Sequence, residues 1–200
     1  CIYSGAEDFV FISDNKRCLE LIGDIDAKLD NHSQLLQFFN ALTANDVHEL
    51  EKTEDSITDL EDGLITEKRS NSEISVDIIS LRRELLKMKR YYEQLALITE
   101  DLTENVNKAL SDELQKRFVS LDKRMDYLLN SVMHLREYIT QVREAYQAQV
   151  DIEQNQIMKV FTVITSIFLP LTLLVGWYGM NLQMPEFQWS FGYPFVIILS

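Results

Sequence analysis

Between Asn155 and Gly179 the chain repeats small, polar and apolar residues at helical spacing. Asn155, Met158, Thr162 (or its neighbour Phe161), Thr165, Leu169, Thr172, Gly176 and Gly179 follow one another at steps of three and four. That spacing places them on one side of an α-helix. Their surroundings are apolar, so an oxygen-bearing face here has two uses. It can line a water-filled path, or it can pack helix against helix in lipid, where small and hydroxylated residues allow close approach. The pattern leaves both open. Directly after it comes "GMNLQMPEF", residues 179–187. Gly179 and Asn181 are types favoured at a helix C-terminus, with Met180 between them. Glu186 is the one acid beyond Ile157. It reads as a solvated loop carboxylate or as a source of negative potential.

The element that must carry this face is a membrane span. Residues 160–178, "VFTVITSIFLPLTLLVGWY", contain no charge, and about 20 apolar residues cross a hydrocarbon core of roughly 30 Å. Arg136, Arg143 and Lys159 precede it, whereas residues 179–193 hold no basic side chain. The positive-inside rule therefore puts the N-terminal side in the cytoplasm. Trp177, Tyr178, Phe187, Trp189, Phe191 and Tyr193 cluster at the far end, as an interfacial aromatic belt does. The apolar run from Pro194 reads as the start of a second, returning span. Pro170 frees a backbone carbonyl inside the first span, which neighbouring hydroxyls are expected to satisfy.

Long helices lead into the span. All three prolines lie beyond residue 169, so proline breaks nothing before it. A first helix is expected from about Asn15 to Thr66, interrupted near Asp30–Ser33, with Leu50, Ile57, Leu60 and Leu64 as its apolar edge. A second, with Ser72 as N-cap, carries Ile74, Ile78, Leu81, Leu85, Met88, Tyr92 and Leu95. A third starts after Ser111 and carries Leu114, Phe118, Leu121, Met125, Leu128, Val132, Leu135, Ile139 and Val142. The steps alternate between four and three, a 3.5-residue repeat suited to coiled-coil-like packing. No glycine or proline separates Val142 from Ile157, so this helix is expected to run on into the span. Residues 112–178 would then measure roughly 100 Å. Phe9 to Ile12 is a short β-type run before the helices.

Composition excludes several classes. The net charge is −13, and beyond Ile157 only Lys159 and Glu186 are charged. The whole imbalance sits in the first 156 residues, a surface that repels nucleic acid and keeps a helical region soluble. Cys1 and Cys18 fit no metal spacing and suit a reducing compartment. His32, His48 and His134 are scattered. Nucleophile–base pairs, phosphate loops and zinc motifs are absent, so the expectation is not an enzyme. The chain begins on Cys1 and its last apolar run is short, which reads as an internal fragment.

"YGMN" at the end of the span, "MPE" after it and "GYP" opening the next run together carry a resemblance. With "NQIMKVFTVITSIFLPLTLLVGWYGMN" before them, residues 112–200 resemble the CorA family of magnesium transport proteins. Residues 14–111 agree with it in type. The resemblance implies a mostly α, two-span membrane protein that assembles as a homopentamer in the lipid bilayer of the cell (inner or plasma) membrane, with its N-terminal region cytoplasmic. Residues 1–13 would end a cytoplasmic α/β domain and 14–111 form a cytoplasmic helical region. Residues 112–178 would be a stalk helix entering the membrane at about residue 157, 179–193 an outer loop, and 194–200 the start of a second span. Gly179, Met180 and Asn181 would form the ion-selecting mouth. Asn155 and Thr172 would make polar rings, with Phe161 and Leu169 at apolar constrictions where relatives often carry aliphatic residues. Glu144 would belong to a regulatory cytosolic magnesium site usually built on aspartate. Magnesium would be both cargo and regulator.

The physical chemistry is consistent with those roles. Magnesium holds six waters in an octahedron and sheds them reluctantly. A ring of Asn181 amide oxygens accepts hydrogen bonds from those waters without stripping them, and Glu186 concentrates cations nearby. The alternatives are the same fold carrying zinc, cobalt or nickel, and a membrane-anchored coiled-coil scaffold that conducts nothing.

Overall fold

A computed structural model of the chain describes residues 1–4, 8–65, 70–105, 110–179 and 191. Two strands, β1 (Ile2–Ser4) and β2 (Phe9–Phe11), precede five helices: α1 (Lys16–Gly23), α2 (Asn31–Leu42), α3 (Asp46–Ile65), α4 (Asn71–Glu104) and α5 (Asp112–Tyr178). The chain is therefore mostly helical. It divides into two units, Cys1–Glu144 and Ala145–Ser200.

In the first unit β1 and β2 pair antiparallel, Ile2 opposite Phe11. The Phe11 ring meets Phe38 of α2 edge-on at 5.2 Å. The helix expected from about Asn15 to Thr66, interrupted near Asp30–Ser33, is three helices: the expected break lies just ahead of Asn31, and a second one, between Leu42 and Asp46, was not expected. Side chains make the breaks without proline. Asp26 Oδ1 accepts from the Lys28 amide at 3.0 Å, and Asp30 Oδ2 caps α2 by accepting from the Ser33 amide at 3.1 Å. Such local bonds offer the backbone an alternative to the helix. At the second break the Thr43 hydroxyl donates to Phe39 O at 2.9 Å, and the Thr43 carbonyl accepts from the Arg124 guanidinium at 2.7 Å.

The cap of α4 also differs from expectation. It is Ser70, not Ser72. Glu73, three residues on, accepts from the Ser70 amide at 3.2 Å, the reciprocal half of a capping box. At the far end Asn105 adopts a left-handed conformation with φ 45°. Its amide donates to Leu110 O and its Oδ1 accepts from Leu110 N, both at 3.0 Å. That clamp ties the end of α4 to the residue ahead of Ser111. Ser111 then starts α5, its Oγ accepting from the Leu114 amide at 3.3 Å.

Helices α3, α4 and α5 form a bundle. Gln115 Nε2 donates to Thr103 O at 2.8 Å and Thr99 Oγ1 donates to Asp122 Oδ1 at 2.7 Å, so α4 and α5 run antiparallel. Arg124 meets Thr43 and Tyr138 meets Glu61, so α3 and α5 run the same way. The core follows the 3.5-residue repeat. All nine apolar positions from Leu114 to Val142 are buried, as are Leu50, Ile57, Leu60 and Leu64 of α3. On α4 Ile74, Ile78, Leu85, Tyr92 and Leu95 are buried, with Leu81 and Met88 half-buried.

In the second unit α5 has no partner among the described residues, and every residue from 151 to 170 is exposed. Its stretch is long and apolar enough to cross a membrane by length and composition, the one such helix among the described residues. Pro170 lies inside it.

Candidate functional site

At 100° per residue, Asn155, Met158, Phe161, Thr165, Leu169, Thr172 and Gly176 fall within an arc of about 120° on α5. The face read from spacing is thus a real face of a continuous helix. All seven are exposed, Met158 and Phe161 at 62% and Leu169 at 63%. Leu169, Thr172, Leu173, Gly176 and Trp177 border an open apolar hollow of about 610 Å³.

The hydroxyls of this segment turn back on their own backbone. Thr165 donates to Phe161 O at 2.8 Å and Thr172 to Phe168 O at 2.7 Å. Thr162 donates to Met158 O and Ser166 to Thr162 O. The carbonyl that Pro170 leaves without its amide partner belongs to Ser166; the Thr172 hydroxyl donates to Phe168 O. The consequence for chemistry is specific. A hydroxyl whose proton is committed to a carbonyl presents only oxygen lone pairs outward. Such a face accepts hydrogen bonds, which is what coordinated water on a cation offers.

Gly179 closes the helix. Its amide donates to Val175 O at 2.8 Å, and a Cβ added there would lie 2.8 Å from that same oxygen. Gly176 is different, since a Cβ there, within the regular helix, meets nothing within 4 Å beyond the helix's own backbone. Met180, Asn181 and Glu186 lie outside the described residues.

Glu144 is exposed. Among the described residues no group of three or more His, Cys, Asp or Glu, Glu144 included, could hold a metal ion. His48 and His134 are exposed and His32 is half-buried.

Two features escaped the sequence. Asp46, at the start of α3, is 9% exposed. Burial raises its carboxyl above the usual range, against the Tyr92 hydroxyl, Arg17 and Arg124, which lower it. Its Oδ2 has no hydrogen-bond partner. Burial and the Asp46 charge push the neighbouring Tyr91 hydroxyl up to about 12. The second is a cleft between α4 and α5 that gathers Arg82, Arg83 and Arg136. A signal for it was present: residues 82–90 hold five basic side chains and one acid in a chain of charge −13.

A family model described as "CorA-like Mg2+ transporter protein" matches residues 13–200. The chain is 30% identical over 149 residues to the "Cobalt/magnesium transport protein CorA" of Thermotoga maritima, covering 74% of this chain and 42% of that protein. It is 52% identical over 56 residues to the "Magnesium transport protein CorA" of Salmonella typhimurium, covering 28% of this chain and 18% of that protein. The chain thus spans less than half the length of these curated relatives. Among solved structures, that of the CorA magnesium transporter from Methanocaldococcus jannaschii superposes with a TM-score of 0.74 at 24% identity. The match covers 94% of this chain and 61% of that one, a likeness of fold.

Proposed function

The chain belongs to the CorA-like Mg2+ transporter family, and from that premise we propose that it forms part of a homopentameric divalent-cation channel carrying magnesium across the cell membrane. The observation that carries the reading is the face of α5 from Asn155 to Gly176. It is uncovered within the chain and its threonine protons are spent on the backbone. Five such faces around an axis make a path lined by acceptors and apolar rings. A hydrated magnesium ion donates hydrogen bonds from its waters and needs acceptors, not charge, to pass without dehydration.

The remaining assignments follow the same reading. Residues 1–13 end a cytoplasmic α/β domain, 14–111 form a cytoplasmic helical region and 112–178 make the stalk and first span. Residues 179–193 are the outer loop and 194–200 begin a second span. Gly179 ends the pore helix so that Met180 and Asn181 can form the mouth. Asn181 rings accept from the ion's waters, and Glu186 raises the local cation concentration. Asn155 and Thr172 are polar rings; Met158, Phe161 and Leu169 narrow the path between them. Glu144 binds cytosolic magnesium only with an acid from another subunit. Magnesium bound there favours the closed state to the extent that it binds that state more tightly.

Cobalt is a second cargo, favoured because the Thermotoga maritima relative's name couples the two ions. The test is ion entry into liposomes holding the intact protein, followed with a magnesium-sensitive dye. Magnesium entry that cobalt competes away supports the channel and both cargoes. Entry of cobalt, zinc or nickel without magnesium changes the ion. A protein that assembles in the bilayer and passes none of them is a scaffold.

A further inference from the structure

The first unit carries an unpartnered charged face that the conduction path does not use. The cleft between α4 and α5 has a volume of about 300 Å³ and is bordered by Ile79, Arg82, Arg83 and Leu86 on α4 and by Arg136 and Thr140 on α5. Among the described residues no carboxylate pairs with any of the three arginines; Arg136 reaches Met133 Sδ at 3.8 Å. Three like charges therefore collect without a counter-charge.

The face extends well past the cleft. Val76, Ile79, Arg83, Leu86, Arg90 and Leu97 share the side of α4 turned away from its buried stripe, with Val76 64% and Leu97 63% exposed. The stretch is about 32 Å long at 1.5 Å per residue. A small anion would fill only the cleft. A helix matches the whole length.

Helix α3 has the complementary properties. Its 20 residues make a rod of about 30 Å. It holds eight acids and one lysine. Glu51, Asp55, Asp59 and Asp62 share the exposed side opposite Leu50, Ile57, Leu60 and Leu64, which are buried. Within one chain the acidic side of α3 and the basic side of α4 are both exposed.

We propose that the basic outer face of α4, with Arg136 at its edge, docks the acidic outer face of α3 of a second copy of this chain. The contact joins unlike surfaces, the kind that closes into a ring when the rotation permits. It rests on the homo-oligomer of the channel reading. Exposed ion pairs are individually weak and screened by salt, so apolar contact with Ile79 and Leu86 supplies area and the charges set register.

The test uses the intact protein in membranes with Cys1 and Cys18 replaced by serine, and a short thiol cross-linker. A chain carrying both Ile79→Cys and Asp55→Cys should give a ladder of covalently joined subunits on a denaturing gel, and each substitution alone should give none. Adding Arg82→Glu with Arg83→Glu should cut the ladder about fivefold, in keeping with the loss of a few exposed ion pairs. Reversing Glu51 and Asp59 to lysine as well should restore it. An oligomer of unchanged size on a native gel with no ladder, or a ladder indifferent to charge reversal, overturns the docking and leaves the channel reading standing. A monomeric protein overturns both.

Discussion

A Cβ on Gly179 would sit 2.8 Å from the carbonyl oxygen of Val175. The clash is with backbone, so no side chain can move aside to relieve it. The same oxygen accepts the last hydrogen bond of α5, from the Gly179 amide at 2.8 Å. Any larger residue must therefore open the end of α5, just ahead of Met180 and Asn181. Gly179→Ala should raise amide hydrogen exchange at residue 179 and lower magnesium entry through the intact protein roughly tenfold, a cost near 1.4 kcal/mol. Gly176→Ala has room and should leave exchange at residue 179 as it is. Equal exchange in the two variants would remove the steric argument.

The bundle core should fail separately from the span. Leu128 is fully buried on α5, whereas Val163 on the same helix is 59% exposed. Leu128→Ala leaves a cavity and should cost about 3 kcal/mol. Val163→Ala should cost far less, because within the chain it empties no packed space. Urea unfolding in detergent, followed by circular dichroism, measures both. Similar losses would mean that the exposed stretch is packed within the chain after all.

The bond from Thr99 to Asp122, at 2.7 Å, ties the end of α4 to the start of α5. Thr99 is fully buried. Thr99→Val keeps the shape and removes the donor, so it should cost about 1–2 kcal/mol. Thr99→Ser should recover most of it. A valine variant as stable as the parent by thermal melting would show that the link contributes nothing.

Asp30 sets a pH dependence. Hydrogen bonds from Ser33, through its side chain and then its backbone amide, hold the Asp30 carboxyl below the ordinary 3.8. A carboxyl lowered in the folded state contributes stability above its unfolded value and loses it as pH falls through the folded one. Asp30→Ala should thus cost about 1 kcal/mol near neutral pH, as a lost N-cap does. The difference from the parent should close as pH falls below 3.8. A difference that stays constant down to strongly acidic pH, measured by melting in detergent at stepped pH, would assign the cost to something other than the charge.

Periodic features were legible in the residues themselves. The 3.5-residue repeat from Leu114 to Val142 found nine positions that are all buried. The absence of glycine and proline ahead of the apolar segment foretold one helix through it, and Ser111 marked its start. What stayed hidden was decided by single hydrogen bonds or by residues distant in sequence. The break near Asp30 was legible, but Thr43 makes a second one with a bond that no periodicity records. Ser70 and Ser72 are equivalent as letters, and Glu73 selects Ser70. The face from Asn155 to Gly176 could be read from spacing, but not the turning of its hydroxyls onto the backbone. Arg136 joins Arg82 and Arg83 only because α5 folds back along α4.

In the proposed channel, hydrated magnesium passes a mouth whose selecting group is the Asn181 amide. The most direct test is magnesium entry into liposomes carrying the intact protein, with Asn181 or with Asn181→Ala, at equal reconstitution and equal oligomer size. Entry should fall to the level of empty liposomes in the alanine variant; entry at the parent's rate would mean that Asn181 does not select the ion.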